Sequence, residues 1–518
     1  MIGRRRVAEG LGWLGFGALT LTPGWLRGGD IPGSGHSDTW ESLWGLWHAL
    51  REGPGGATRW LDAPRGGVLY LADPLHALAL APLSATVGVE VAWTLAVIGH
   101  VALAGAATAA WARARGADGA GAIAAGVVFA SAPGLLAAIH NGTSETIGWG
   151  LVPLAALAAS SASRSWRHAL VAVLALALAF VASPYLAVAA GIVAGVEAVA
   201  RRDGRALAAI GVAALLVAPW YGVVITAARA PDNLVGIKDA HELALVRRTI
   251  GAADPLGFVM PGAFRSPDFL KISRYGEDFI HCTYLGAVAI AANLAIGRRT
   301  GLRTPVIWAT LGVVLALGPV WVHGGEAVLF DHRLGVPLPY FLLERLPGFS
   351  ALSLLYRLSI LGSLGLALGV GQLRGRAAWA VAAAVLAEVW LVSPMAGGPG
   401  FANLPARAAL EALRAAPRGA VANWPVVGGR PYLYEATIHQ HPVAGTLNFP
   451  INDSSRATLD ALRDRPDAAA VARASAVRYV VVHVDADAAP GPWDGAVARL
   501  RTTPPLARDG AIEVYALW

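Results

Sequence analysis

From about residue 89 onward the sequence is a succession of apolar runs joined by short, arginine-bearing connections. The runs cover 89–112, 119–138, 145–161, 167–182, 185–200, 206–228, 279–297, 304–322, 353–371 and 377–394, preceded by one at 8–26. About 20 apolar residues in a helix cross roughly 30 Å of hydrocarbon. The arginines fall on alternate connections: Arg113 and Arg115; Arg164 and Arg167; Arg201, Arg202 and Arg205; Arg298, Arg299 and Arg303; Arg374 and Arg376. Alternation of this kind marks the cytoplasmic side of a polytopic membrane protein. Only 14% of residues are charged, against about 25% in a soluble domain. Arg4-Arg5-Arg6 precedes the first run and no small-x-small cleavage pattern follows it, which predicts an uncleaved first span with a cytoplasmic N-terminus.

The alternation holds only if the stretch Tyr70 to about Leu83 does not cross. It contains Asp73, Pro74, His76 and Pro82, and reads as a re-entrant segment. The expected fold is therefore an α-helical polytopic membrane protein with about eleven transmembrane helices over residues 1–397. Its long loops 27–88, 229–278 and 323–352 all face away from the cytoplasm. From about residue 398 the hydropathy changes. Buried strands are expected at 419–424, 477–483 and 512–518, and helices at 404–416, 454–464, 467–475 and 493–501. That is a C-terminal extracytoplasmic α/β domain, 398–518, on a multi-pass protein of the cytoplasmic (inner) membrane.

The net charge of +7 belongs to the basic loops and gives no reason to expect nucleic-acid binding. The single cysteine, Cys282, excludes an intramolecular disulfide. No phosphate-binding glycine loop, dinucleotide fingerprint or zinc spacing is present.

In the first loop, residues 38–50 read as an amphipathic helix. Trp40, Leu43, Trp44, Leu46, Trp47 and Leu50 share one arc, opposite Asp38, Glu41, Gly45 and His48. Such a helix suits a membrane interface, with carboxylates at the water boundary. Asp38 followed three residues later by Glu41 also has the spacing of a capping box, so the pair has a structural and a chemical reading. Glu145 stands at the mouth of a span, after His140-Asn141-Gly142-Thr143-Ser144, where a charge either favours the helix start or faces a wet cavity. Asp73 and His76 either line that cavity or cap the re-entrant piece. His100 and Glu388, inside spans, are read as bridges between helices. Tyr185 opens a span after Ser183-Pro184, as an interfacial anchor or a substrate contact. Among the basic residues, Arg333 and Arg345 lie in a polar loop. Arg357 lies in the apolar stretch Leu355-Tyr356-Arg357-Leu358, where it either snorkels or grips a lipid phosphate with its planar fork.

The pattern resembles the GT-C superfamily of membrane glycosyltransferases. The resemblance rests on Asp38 in a first loop with its own helix, on Glu145 at the next outer turn, and on the stretch from Pro337-Leu338-Pro339-Tyr340 to Tyr356-Arg357. It rests also on a C-terminal domain containing Tyr432-Leu433-Tyr434-Glu435 and His441-Pro442-Val443-Ala444-Gly445. What it implies is transfer of a sugar from a polyprenyl-phosphate donor to an unidentified acceptor at the outer face of the bilayer. Asp38 would be the general base. Glu145, with His140, would assist it or hold a divalent cation together with Asp38. Arg357 and Arg333 would bind the donor phosphate, and Glu41, His36 and Tyr185 would contact substrate. Glu41, the nearest acid to Asp38, is one helical turn away rather than adjacent. The alternatives are a transporter or flippase of lipid-linked glycan and a non-catalytic assembly protein. Against transport stands the lack of a second re-entrant piece in the other half of the chain.

Overall fold

The computed structural model describes residues 2–71, 73–235, 240–261, 279–297, 303–324, 326–330, 334–346, 348–425, 430–447, 453–465, 467–484 and 494–518. Among these, four helices are long and apolar enough to cross a membrane: Val89–Ala114, Gly119–His140, Ser144–Arg164 and Gly204–Ala228. Shorter apolar helices stand with them at Pro74–Val87, Trp166–Ala182, Pro184–Ala200, Ala287–Gly297, Pro305–Ala316 and Leu355–Val370. Exposed Leu95, Leu174, Leu215 and Leu216 stud the outside of this bundle. Exposed leucines of that kind on apolar helices suit contact with lipid rather than water.

Small residues set how closely the helices approach. A Cβ on Gly312 would meet the Gly362 backbone at 2.1 Å, and one on Gly365 would meet the nitrogen of Ala309 at 2.4 Å. Backbones this close gain packing and leave no room for larger side chains. Glu388, inside Gly375–Leu391, does bridge helices. It accepts the Tyr284 hydroxyl and the backbone N–H groups of Ala287 (2.6 Å) and Val288 (3.1 Å), capping the Ala287–Gly297 helix from a neighbouring element.

Several expected elements take a different form. The run at 279–297 is helical only over Ala287–Gly297, because its first half is held extended by Asn141. That side chain donates to the Ile280 carbonyl (3.0 Å) and accepts from the Ile280 N–H (2.8 Å). The run at 119–138 breaks at Ser131-Ala132 before Pro133, as proline requires. Residues 355–359 form a 3₁₀ turn before the α-helix Ile360–Val370, so Arg357 sits on a tighter coil than a plain span would give it. The stretch expected to be re-entrant, Tyr70 to about Leu83, lies mostly in the helix Pro74–Val87, which follows a hairpin of Gly55–Thr58 with Gly67–Tyr70. That helix has 14 residues, about 21 Å and short of a full crossing. Asp73 caps it, accepting the His76 N–H at 3.1 Å.

The largest departure is the tryptophan-rich helix Thr39–Glu52. Trp40, Leu43, Trp44, Leu46 and Trp47 are buried inside the protein and do not face lipid. They pack against Pro74–Val87, the hairpin and a helix of the C-terminal region, Pro431–His439. His48 and Gly45, expected on the polar arc, are buried as well, and Leu50 is exposed.

Beyond residue 400 the chain forms a four-stranded sheet. Ala420–Trp424 lies parallel to Val477–His483, which is followed outward by antiparallel Ile512–Ala516 and Ala507–Asp509. Helices Ala408–Ala415, Pro431–His439, Asp453–Asp464, Ala468–Ala474 and Asp494–Leu500 accompany it. Two ties join this region to the first long loop. Ile31–Pro32 pairs antiparallel with Phe401–Ala402. Asp62 and Ala63 donate to the carbonyls of Gly445 (2.8 Å) and Val443 (3.0 Å).

Candidate functional site

The site is assembled by a lacing of backbone and serine hydroxyl hydrogen bonds between the first loop and the turn at 140–145. Ser34 N–H and the Ser37 hydroxyl both donate to the His140 carbonyl, at 2.6 and 3.3 Å. Asp38 N–H donates to Asn141 O (3.1 Å), and the Ser42 hydroxyl to Gly142 O (2.7 Å). Gly142 takes φ +61°, and a Cβ there would meet the Thr39 nitrogen at 2.6 Å. Only glycine allows both the conformation and the approach. The lacing brings Asp38, at the start of one helix, beside Glu145, at the start of another.

Asp38 does not cap its helix. Its side chain makes no cap hydrogen bond, and its N–H is taken by Asn141, so the capping box expected from Asp38 and Glu41 does not form. Both carboxylates turn instead to Arg430, which bonds Asp38 directly and lies 3.1 Å from Glu41. Arg430 is 3% exposed and also donates to the Leu447 carbonyl at 2.9 Å. Burial pushes the Asp38 carboxyl up from its ordinary range. Arg430 pulls it back, Glu145 adds to the rise, and Arg357 opposes it. Asp38, Glu145, Arg357 and Arg430 thus share one electrostatic neighbourhood.

Glu145 forms an ion pair with Arg357. The guanidinium also lies over the Tyr185 ring, 5.0 Å from its centroid, a cation–π contact. The Tyr185 hydroxyl accepts the N–H groups of Ser353 (3.2 Å) and Leu354 (2.9 Å), so the tyrosine both supports the guanidinium and pins the turn that carries it. Arg247 donates to the carbonyl of the neighbouring Leu352 at 3.3 Å. A small cavity beside Arg357 is lined by Thr143, Thr146, Cys282, Tyr356 and Ser359. Burial raises the Tyr70 phenol at the hairpin's end, and the Glu145 charge raises it further.

The other sequence candidates lie differently. The His140 ring accepts the Gly400 N–H through Nδ1 (2.9 Å), which ties the 400 segment to the turn. His36 is exposed, and its N–H donates to the Ser34 hydroxyl (3.2 Å). Arg333 lies outside the described residues. Asp73, besides capping, bonds the His76 ring, which in turn meets His100 on Val89–Ala114. Among the described residues no group of three or more His, Cys, Asp and Glu side chains is placed to hold a metal ion. Asp38 and Glu145 are each engaged by an arginine, so the arrangement does not fit a cation site. Arg430 was missed from sequence. The one available signal was Arg430-Pro431, a helix-start pair, but it names no partner.

No protein-family model and no curated protein matches the chain. Solved structures do. The Archaeoglobus fulgidus oligosaccharyltransferase in its apo form superposes with a TM-score of 0.50 at 12% identity, over 92% of this chain and 70% of that one. The mycobacterial arabinofuranosyltransferase AftD gives 0.56 at 18% identity, over 98% of this chain and 40% of that one. This chain therefore spans well under half of the second protein. At these identities the likeness establishes a shared fold with these two membrane-protein structures and no more.

Proposed function

We propose that the chain transfers a sugar from a polyprenyl-phosphate donor to an acceptor hydroxyl at the outer face of the cytoplasmic membrane. In this reading about eleven segments cross the bilayer, the N-terminus is cytoplasmic and residues 398–518 form an extracytoplasmic α/β domain. The observation that carries the reading is the convergence of Asp38, Glu145 and Arg357, remote in sequence, at one end of an apolar bundle.

Asp38 is the general base. As the acceptor oxygen attacks the anomeric carbon, its proton passes to the Asp38 carboxylate. The bond from that carbon to the phosphate oxygen breaks, and its electron pair leaves on polyprenyl phosphate, which gains one negative charge. A single displacement of this kind inverts the anomeric centre. Arg357 stabilises the charge developing on the leaving phosphate, where a buried guanidinium is worth far more than in water. Glu145 and the Tyr185 ring hold Arg357 in place until the phosphate arrives. Glu41 shares Arg430 with Asp38 and acts through it.

The test is transfer from farnesyl-phosphoryl hexoses and pentoses to alkyl glycosides, using the full chain in lipid nanodiscs. Asp38→Asn keeps the shape and removes the base, and transfer should fall by about 10²–10⁴. Equal turnover by wild type and Asp38→Asn rejects the base. Transfer by the wild type itself separates an enzyme from a flippase, which moves its lipid without breaking the bond from sugar to phosphate.

A further inference from the structure

The C-terminal region hands one residue into the site. Arg430 precedes Pro431, the first residue of Pro431–His439, in a left-handed conformation (φ 58°, ψ 52°). Side chains other than glycine, asparagine and aspartate seldom adopt it. Its guanidinium pairs with Asp38 and Glu41, while Arg357 pairs with Glu145. The helix behind it is firmly seated. Tyr432 donates to the Thr446 carbonyl (2.6 Å), Tyr434 bonds Glu90 and lies 5.2 Å from the Trp40 ring, and Glu435 accepts the Asn423 amide at 3.0 Å. A residue held in an unfavoured backbone conformation by such surroundings points to a role.

We propose that Arg430 is a positioning residue that aims the Asp38 carboxylate and keeps it deprotonated, so that the C-terminal domain completes the catalytic site. This rests on Asp38 being the base of the transfer reaction. The groups that act on Asp38 are Arg430, Glu145 and Arg357. Burial and the Glu145 charge both favour the protonated, useless form. Arg357 is the residue a donor phosphate would engage, so in the working complex Arg430 is left to oppose them. Glu41 gives the guanidinium a second anchor, fixing its direction independently of Asp38.

The experiment is the pH dependence of kcat for the full chain with the farnesyl-phosphoryl donors, comparing wild type, Arg430→Lys and Arg430→Asn. Asparagine suits the left-handed backbone and so protects the fold while removing the cation. Arg430→Asn should lose about tenfold in kcat near pH 6, with its acid limb displaced upward by roughly one unit and activity recovering at alkaline pH. KM for the donor should stay within about threefold, because Arg357 holds the phosphate. Arg430→Lys should keep the wild-type limb. A uniform fall across all pH values, or no change, overturns the proposal and leaves the reading of Asp38 intact. Turnover that survives Asp38→Asn, or no turnover by wild type with any donor, removes the base and the proposal with it.

Discussion

Arg357 and Glu145, 212 residues apart, form an ion pair over the face of Tyr185. The Glu145 side chain is 19% exposed and that of Arg357 10%, so neither charge is strongly screened. The pair is also the point where a substrate phosphate would compete with a protein carboxylate for one guanidinium.

Arg357→Lys is therefore not a conservative change. Lysine keeps the charge but loses the planar fork and the stacking on Tyr185. Steady-state kinetics should show kcat/KM lower by about 10²-fold or more, the equivalent of losing some 3 kcal/mol of stabilisation at the leaving group. Glu145→Gln should do less to kcat and leave the fold standing. A lysine variant with wild-type kinetics would remove Arg357 from the chemistry.

Gly142 decides whether Asp38 and Glu145 meet. Gly142→Ala must place a β-carbon within 2.6 Å of the Thr39 nitrogen in a left-handed turn. Gly28, at φ +82° with nothing within 4 Å of an added Cβ, is the control for conformation alone. Gly28→Ala should cost about 1 kcal/mol and Gly142→Ala more than about 2 kcal/mol, read as melting temperature in detergent. Transfer should fall with Gly142→Ala even below the melting temperature, because the two carboxylates separate.

Tyr185→Phe isolates the hydroxyl from the ring. It keeps the aromatic face under Arg357 and leaves the N–H groups of Ser353 and Leu354 without their acceptor. Each unsatisfied, partly buried donor costs about 1–3 kcal/mol. The expected result is lower thermal stability with donor KM little changed, whereas Tyr185→Ala should alter both.

What could be read beforehand follows from what hydropathy encodes. Charges at the mouths of apolar runs stand out because lipid tolerates few of them, which marks Glu145 and Arg357, whereas Asp38 stands out on the polar arc of a tryptophan-rich helix. The same signal misjudged the helix after Asp38. A tryptophan face is apolar whether lipid or protein covers it, and the covering helix Pro431–His439 comes almost 400 residues later. Arg430 was invisible for a related reason: it sits in ordinary α/β sequence, and its partners lie at the other end of the chain. His140 looked like chemistry because histidine often is, but a ring nitrogen accepting the Gly400 N–H leaves no mark on composition or spacing. The half-helical form of 279–297 depends on Asn141, another contact that periodicity does not carry.

Acid should loosen the region that holds Arg430, and the cause can be separated from titration of Asp38. His439, in the last turn of Pro431–His439, is fully buried, and its Nδ1 accepts the His441 N–H at 3.0 Å. Burial, reinforced by the neighbouring His441, lowers its pKa to about 3, and burial lowers His48 to about 4. An unfolded histidine titrates near 6.5. Between these values the unfolded chain binds more protons than the folded one, so stability rises with pH across the window and is fully regained above about 6.5. At pH 5 the loss from His439 alone is on the order of 2 kcal/mol. His439→Asn offers an oxygen to the same N–H and cannot be protonated. Its melting temperature should fall less than that of wild type between pH 7 and pH 5, and an equal fall would place the acid sensitivity elsewhere. The variant also sorts the acid limb of activity. A limb that moves to lower pH with His439→Asn reports loss of the fold around Arg430, and a limb that stays where it was reports protonation of Asp38.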